Sequence, residues 1–167
     1  MSALDRAFDQ RFRPHWVSYL LQSVLAAVSL FVVLMALRQQ NLVVAASLAA
    51  TSFTVFAAPS SVTASPRNAV RGHLVGVVFG SAFAPIPHEA ALLQDAMYAA
   101  AVGSAMLTMA AANTEHPPAA GTALGVVIAG FSWPLVLGVA VGAVVLAVIH
   151  TVLRPGLRDL VAAPEQR

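Results

Sequence analysis

The residues best suited to chemistry lie in the segment 113–122, which reads Asn-Thr-Glu-His-Pro-Pro-Ala-Ala-Gly-Thr and separates two long apolar stretches. Lipid cannot satisfy the hydrogen bonds of such a segment, so it needs a protein-lined or watery setting. His116 is its most informative residue, because histidine alone changes charge near neutral pH without perturbation. It is either a donor or proton-linked group at a constriction, or a loop histidine that caps a helix at the membrane surface. The sequence leaves both open.

The neighbours of His116 predict a site for an anion. Pro117 and Pro118 restrict the backbone and supply no N–H, which prepares a helix that begins at Ala119. The first amides of such a helix would point back at the loop, and a helix N-terminus attracts negative charge. Asn113 and Thr114 add polar groups, and the segment either lines the path of a solute, with these residues as candidate pore-lining groups, or is an ordinary surface loop.

A second candidate cluster precedes the third apolar run, where Arg67 and Asn68 are followed by Arg71 and His73. Arginine at a pore mouth would concentrate an anion and contact it through a fork of donors. The alternative is an arginine that only anchors the helix on the cytoplasmic side. His73 would lie at the start of a span, where either a bundle interior or the membrane interface explains it.

Composition restricts the class of protein. Hydrophobic residues make up 59% of the 167 residues and charged residues 10%, against about 25% charged in an average soluble domain. We therefore predict an integral membrane protein that contacts the lipid bilayer. Cysteine is absent, and the five histidines have neither metal-site spacing nor a set of carboxylate partners. We expect no enzyme activity, no cofactor and no metal, and the arginines in short flanks predict no binding of nucleic acid.

Proline and polar residues divide the apolar sequence into runs of helical length, which predicts an all-α, polytopic transmembrane bundle. The runs cover about 16–37, 42–58, 70–84, 90–112, 119–131 and 135–153, with breaks expected at Pro59 and Pro134. The run 119–131 is too short to span alone at 1.5 Å per residue. We therefore predict four to six membrane segments, with a half-helix or re-entrant break at the His-Pro-Pro motif.

Three glycines with a spacing of four, Gly72, Gly76 and Gly80, lie on one face of the third run and predict a close helix contact. One chain with so few spans buries little, so we expect a homo-oligomer, with a dimer favoured. The glycine face is a candidate for the subunit contact, or it serves packing within the chain.

The arginines predict the orientation. Arg6, Arg11 and Arg13 precede the first span, which places residues 1–15 in the cytoplasm, followed by the transmembrane domain 16–153 and the tail 154–167. We expect a bacterial inner-membrane protein. The arginines of the tail agree with this rule only if the short run 119–131 counts as a crossing, and the sequence leaves that conflict unresolved.

Two motifs in this order resemble the HPP family, small integral membrane proteins named for His-Pro-Pro. The first is the motif 116–118 followed by Ala-Ala-Gly-Thr-Ala-Leu, where the family tends to have Ala-Gly-Ala-Thr-Ala-Leu. The second is Ser-Pro-Arg-Asn at 65–68 with Gly-His-Leu at 72–74, close to the family's Gln-Pro-Arg-Asn and Gly-Gly-His. The similarity covers about residues 15–153.

The resemblance implies transport, and chloroplast and cyanobacterial members are associated with nitrite. It favours Arg67, Asn68, His73 and the motif 116–118 as functional residues, while Arg71 stands where the family commonly has glycine. We therefore expect a channel or permease for a small monovalent anion, nitrite first. The alternative is a non-transporting membrane scaffold or accessory subunit whose polar breaks only cap helices.

Overall fold

The protein is a bundle of six α-helices in a computed structural model that describes residues 12–37, 41–86 and 90–161. The helices are α1 Phe12–Leu37, α2 Leu42–Ala57, α3 Pro66–Phe83, α4 Ala91–Ala111, α5 Pro118–Ala129 and α6 Trp133–Leu153. Short 3₁₀ turns, Val62–Ala64 and Arg154–Gly156, follow α2 and α6. No strand occurs in the three described ranges, which confirms the predicted all-α class and the helix break at the His-Pro-Pro motif.

Not all of the helices are long and apolar enough to cross a membrane. Two of them pass on length and composition: Phe12–Leu37, with a mean hydropathy of 2.5, and the segment Trp133–Gly156, with 2.6. α2 and α5 are apolar but shorter, with 16 and 12 residues. At 1.5 Å per residue α5 extends about 18 Å, well short of the ~30 Å of bilayer hydrocarbon.

Two predicted boundaries were wrong, and in both the reason is proline. α3 begins at Pro66 rather than near residue 70, and α6 begins at Trp133 with Pro134 inside its first turn. Proline suits this position because the first helical amides lack an intrahelical partner anyway. The break before α6 lies instead at Gly130, whose φ of 77° favours glycine. The predicted break at Pro59 is confirmed, since α2 ends at Ala57.

α3 packs closely against α5 through the three predicted glycines. A Cβ atom on Gly76 would lie 2.5 Å from the carbonyl oxygen of Ala119, and one on Gly80 would lie 2.6 Å from Cβ of Val126. A Cβ atom on Gly72 would lie 2.7 Å from Cβ of His116. The glycine face therefore serves packing within the chain, and it brings the His-Pro-Pro motif directly onto α3.

Both ends of the described chain lie on one face of the bundle. Tyr19 near the start of α1 donates its hydroxyl to the carbonyl of Leu160 (2.6 Å), and Gln22 donates to the carbonyl of Arg158 (2.9 Å). At the opposite face, Val44 of α2 and Val126 of α5 share a core cluster with Leu135 of α6. The short helix α5 therefore leads the chain from one face to the other. The described part of the tail thus returns to the face where α1 starts.

Candidate functional site

The site begins at the connection between α2 and α3, whose conformation is fixed by local hydrogen bonds. The Ser65 side chain accepts from the amide of Asn68 (3.3 Å) and so caps α3. The Ser61 hydroxyl accepts from the amide of Ala64 (3.2 Å) in the 3₁₀ turn. With the helix start fixed in this way, Arg67 is exposed while Asn68 is buried.

Asn68 joins the two polar segments that the sequence singled out. Its side-chain amide donates to the backbone carbonyl of Glu115 at 3.2 Å. Asn113, two residues earlier, has a φ of 51°, a left-handed conformation that asparagine tolerates better than most residues. This conformation ends α4 and turns the chain toward His116. The two polar segments therefore meet in the fold.

A polar cavity of about 350 Å³ opens at this face, and we call it the vestibule. It contains the side chains of two arginines, Arg67 at the start of α3 and Arg154 at the end of α6. Two asparagines, Asn68 and Asn113, supply amide groups. The full lining is Pro59, Ser60, Ser61, Val62, Ser65, Arg67, Asn68, Asn113, His150 and Arg154. The vestibule thus combines positive charge with neutral donors and acceptors.

His150 forms part of the vestibule wall. Its side chain is 1% exposed, and its Nε2 donates to the carbonyl of Pro59 at 3.0 Å. This bond connects the end of α6 to the connection after α2. Arg154, one helical turn further along the chain, is thereby held beside the same cavity. Neither residue was singled out from sequence as part of the site.

His116 lies behind the vestibule and not on its surface. The side chain is 0% exposed, its Nδ1 contacts the carbonyl of Thr63 (2.7 Å), and its Nε2 contacts the Thr51 hydroxyl (3.0 Å). Thr63 belongs to the turn whose neighbouring residue Val62 lines the vestibule. The ring is therefore next to a segment that lines the cavity but does not line the cavity itself.

A continuous set of hydrogen bonds surrounds His116, and we call it the histidine network. His73 Nε2 contacts the Thr51 hydroxyl at 2.8 Å, and its Nδ1 contacts the Thr122 hydroxyl at 2.7 Å. The Thr122 hydroxyl lies 2.7 Å from that of Ser47, which in turn lies 2.7 Å from the carbonyl of Pro118. The network consists of Ser47, Thr51, His73, His116 and Thr122, all of them buried.

The remaining residues that the sequence predicted for the site lie outside the vestibule lining. Thr114 is buried and Pro118 is half-buried, whereas Pro117 and Arg71 are exposed, and none of them lines the vestibule. The amide of Ala119 donates to the carbonyl of His116 (2.9 Å), and that of Ala120 to Pro117 (3.1 Å). These amides therefore do not point freely into the loop, because the turn at the motif uses them internally.

The hydroxyl members of the histidine network were missed from sequence. Ser47, Thr51 and Thr122 lie in Ala-rich runs, where small residues suggest close helix packing and nothing more. A weak signal exists for two of them, since Ser47 and Thr51 have the i, i+4 spacing that places both on one helix face. Their partners on α3 and α5 become evident only from the packing.

Fold and site together define a polytopic, all-α membrane protein with a cationic vestibule and a buried polar core. The family model described as "HPP, transmembrane region" matches residues 10–157 of the chain. The chain therefore belongs to the HPP family, as the motifs at 65–68 and 116–118 suggested. Searches of curated proteins and of solved structures give no match.

Proposed function

We propose that this protein is a channel or permease for a small monovalent anion, with nitrite as the first candidate. The observation that carries the proposal is the vestibule, where Arg67 and Arg154 arrive from helices far apart in sequence. Membership of the HPP family supports a role in transport. Two guanidinium groups beside a polar cavity would raise the local concentration of an anion.

The chemistry of the vestibule fits a transported ion better than a tightly held one. Arginine supplies charge and several donors, while the amides of Asn68 and Asn113 supply neutral groups that bind without a net charge. Conduction requires binding that is favourable enough for entry and weak enough for release. A partly open cavity with two cations satisfies this requirement, because solvent still reaches the bound ion.

The position of the charges also supports the proposed orientation. Arg67, Arg71, Arg154 and Arg158 lie at the face of the bundle where α1 starts. By the positive-inside rule we propose that this face is cytoplasmic in a bacterial inner membrane. The vestibule would then be the cytoplasmic mouth of the path.

The test is a flux assay in proteoliposomes with nitrite, nitrate, formate and chloride, at a pH where nitrite is ionised. We expect uptake of nitrite above that of empty liposomes, and a several-fold loss in Arg67→Gln and in Arg154→Gln. Arg71→Gln removes the same charge from the same helix, but outside the vestibule, and should have the smaller effect. Absence of flux for all four anions would favour the scaffold alternative.

We also propose a homodimer, as the small number of spans suggests. The face of Gly72, Gly76 and Gly80 packs on α5 and cannot form the subunit contact. Light scattering on the detergent-purified protein should give twice the chain mass of 17.3 kDa. A protein mass of one chain at all concentrations would contradict the dimer and leave transport by a monomer.

A further inference from the structure

The directions of the hydrogen bonds in the histidine network are fixed at both ends by backbone carbonyls, which can only accept. At one end the carbonyl of Thr63 lies 2.7 Å from Nδ1 of His116, so this nitrogen carries a proton. A neutral imidazole has only one N–H, and Nε2 of His116 must therefore accept. The Thr51 hydroxyl, 3.0 Å away, is then the donor to it.

The same reasoning continues from Thr51 to His73. A hydroxyl has one proton, and the proton of Thr51 is used toward His116. The Thr51 oxygen therefore accepts from Nε2 of His73, which lies at 2.8 Å. The Thr51 oxygen also lies 3.0 Å from the carbonyl of Ser47. That carbonyl can only accept as well, so the Thr51 proton goes either to it or to Nε2 of His116, and in both cases the Thr51 oxygen is left to accept from Nε2 of His73.

At the other end the carbonyl of Pro118 fixes the opposite direction. It lies 2.7 Å from the Ser47 hydroxyl, which therefore donates to it. The Ser47 oxygen is then free to accept from Thr122 at 2.7 Å. With its own proton used in this way, Thr122 must accept from Nδ1 of His73, also at 2.7 Å.

His73 is thus the first donor in both series of hydrogen bonds, so each of its two nitrogens requires an N–H. A neutral His73 would leave one contact of 2.7–3.0 Å in which two lone pairs face each other. We infer that His73 is a proton-binding site, where the protonated ring donates through Thr51 to His116 and through Thr122 to Ser47. The chains end on the carbonyls of Thr63 and Pro118.

The surroundings of His73 and His116 favour a single protonated ring over two. Burying a charge is costly unless it is paired and hydrogen-bonded, and the two hydroxyl oxygens that meet the nitrogens of His73 supply the hydrogen bonds but no counter-charge. The two ring centroids are 5.2 Å apart, so a second proton on His116 would place like charges close together. We therefore expect one proton for the pair and no more.

We next consider the other titratable or charged groups near His73. α2 and α5, which supply the hydroxyls, contain none. The remaining groups in the described parts of these elements and of the adjoining tail are Arg67 and Arg71 on α3, Asp95 and Tyr98 on α4, Glu115 beside His116, His150 on α6, and Arg154, Arg158 and Asp159 after it. A carboxylate is thus absent from the described helices that supply the network's hydroxyls, which leaves the network itself to stabilise the proton.

The test is a pH titration of ¹⁵N-histidine-labelled protein by NMR, without any added anion. We expect one ring to gain a second protonated nitrogen while the other keeps a single N–H. The variants His15→Gln, His88→Gln and His150→Gln each lack the signals of one of the other three histidines, so their spectra identify the signals of His73 and His116. Two neutral rings at every pH where the protein stays folded would overturn the inference.

Thr51→Val removes the hydroxyl that accepts from His73 and keeps the side-chain shape. A hydrogen bond to a charged group contributes about 1.5–3 kcal/mol, which corresponds to a midpoint about one to two pH units lower in Thr51→Val. Thr54→Val is the matched control, because Thr54 makes the same bond within the helix, to Ala50 (2.9 Å), but is only half-buried and lies outside the network. Equal midpoints in the two variants would contradict the inference.

Further variants at Thr51 separate loss of the hydroxyl from loss of the fold. Thr51→Ser retains the hydroxyl, so it should keep the wild-type midpoint, and Thr51→Ala removes the hydroxyl if Thr51→Val fails to fold. A shift in Thr51→Ser as large as that of Thr51→Val would overturn the assignment. The titration contains no nitrite, so its outcome is independent of the proposed transport, which the flux assay tests separately.

Discussion

The vestibule and the histidine network are neighbouring polar regions that differ in how their hydrogen bonds are satisfied. In the vestibule, Arg67 is exposed, and its guanidinium donors are open to water or an ion. In the network, every polar side-chain atom of His73 and His116 contacts an oxygen of the protein. The difference indicates that changes in the network should alter stability, whereas changes in the vestibule should alter binding.

The largest effect is expected for His116→Ala. The change leaves the carbonyl of Thr63 and the hydroxyl of Thr51 without this partner in a buried position, and it opens a cavity. An unsatisfied buried group costs about 1–3 kcal/mol, so we expect a loss of about 3 kcal/mol in the free energy of unfolding. His116→Gln, which keeps a donor and an acceptor, should recover part of the loss. Denaturant unfolding in detergent measures both variants. If His116→Ala lost less unfolding free energy than Arg67→Gln, the greater structural role of the network would be contradicted.

Gly76→Ala should have the next largest effect, because the two regions are held together by the contact between α3 and α5. The new Cβ atom would lie 2.5 Å from a backbone oxygen of α5, which cannot move as a flexible side chain can. We expect a loss of about 1–3 kcal/mol. Gly103→Ala is the matched control, because nothing lies within 4 Å of its Cβ position. A thermal melt that shows the same midpoint for both variants would contradict the packing role.

A smaller effect on stability, but a clear one on flux, is expected for Arg67→Gln. An exposed side chain contributes little to folding, so the unfolding midpoint should stay close to that of the wild type. The loss of nitrite flux should be larger at low ionic strength than near physiological salt, where the Debye length is about 8–10 Å. Flux equal to the wild type at matched protein levels would reduce Arg67 to an anchor of membrane topology.

The smallest effect is expected for Arg71→Gln, which sharpens the boundary of the vestibule. Arg71 lies one helical turn after Arg67, is exposed, and is absent from the lining of the cavity. Any effect on flux should therefore be purely long-range and should disappear as the salt concentration rises. A loss of flux that persists at high salt would extend the anion path beyond the vestibule along α3.

Much of the site could be predicted from the sequence because local rules decide it. Paired prolines and polar residues within apolar runs mark the connections between the helices. The predicted region 65–73 and the motif 116–118 do come together. Their roles differ from the expectation, because burial of His73 and His116 depends on which helix covers them.

The apolar runs, the proline breaks and the two motifs determined the all-α class and the family, since each depends only on residues near one another in the chain. Tertiary packing alone decided the rest. The glycine face of α3 could have met another subunit or another helix, and only the fold shows that α5 occupies it. That contact brings Thr122 to His73, and the closure of the bundle brings Arg154 to Arg67. Such pairings join residues far apart in sequence, and no local pattern of one chain encodes them.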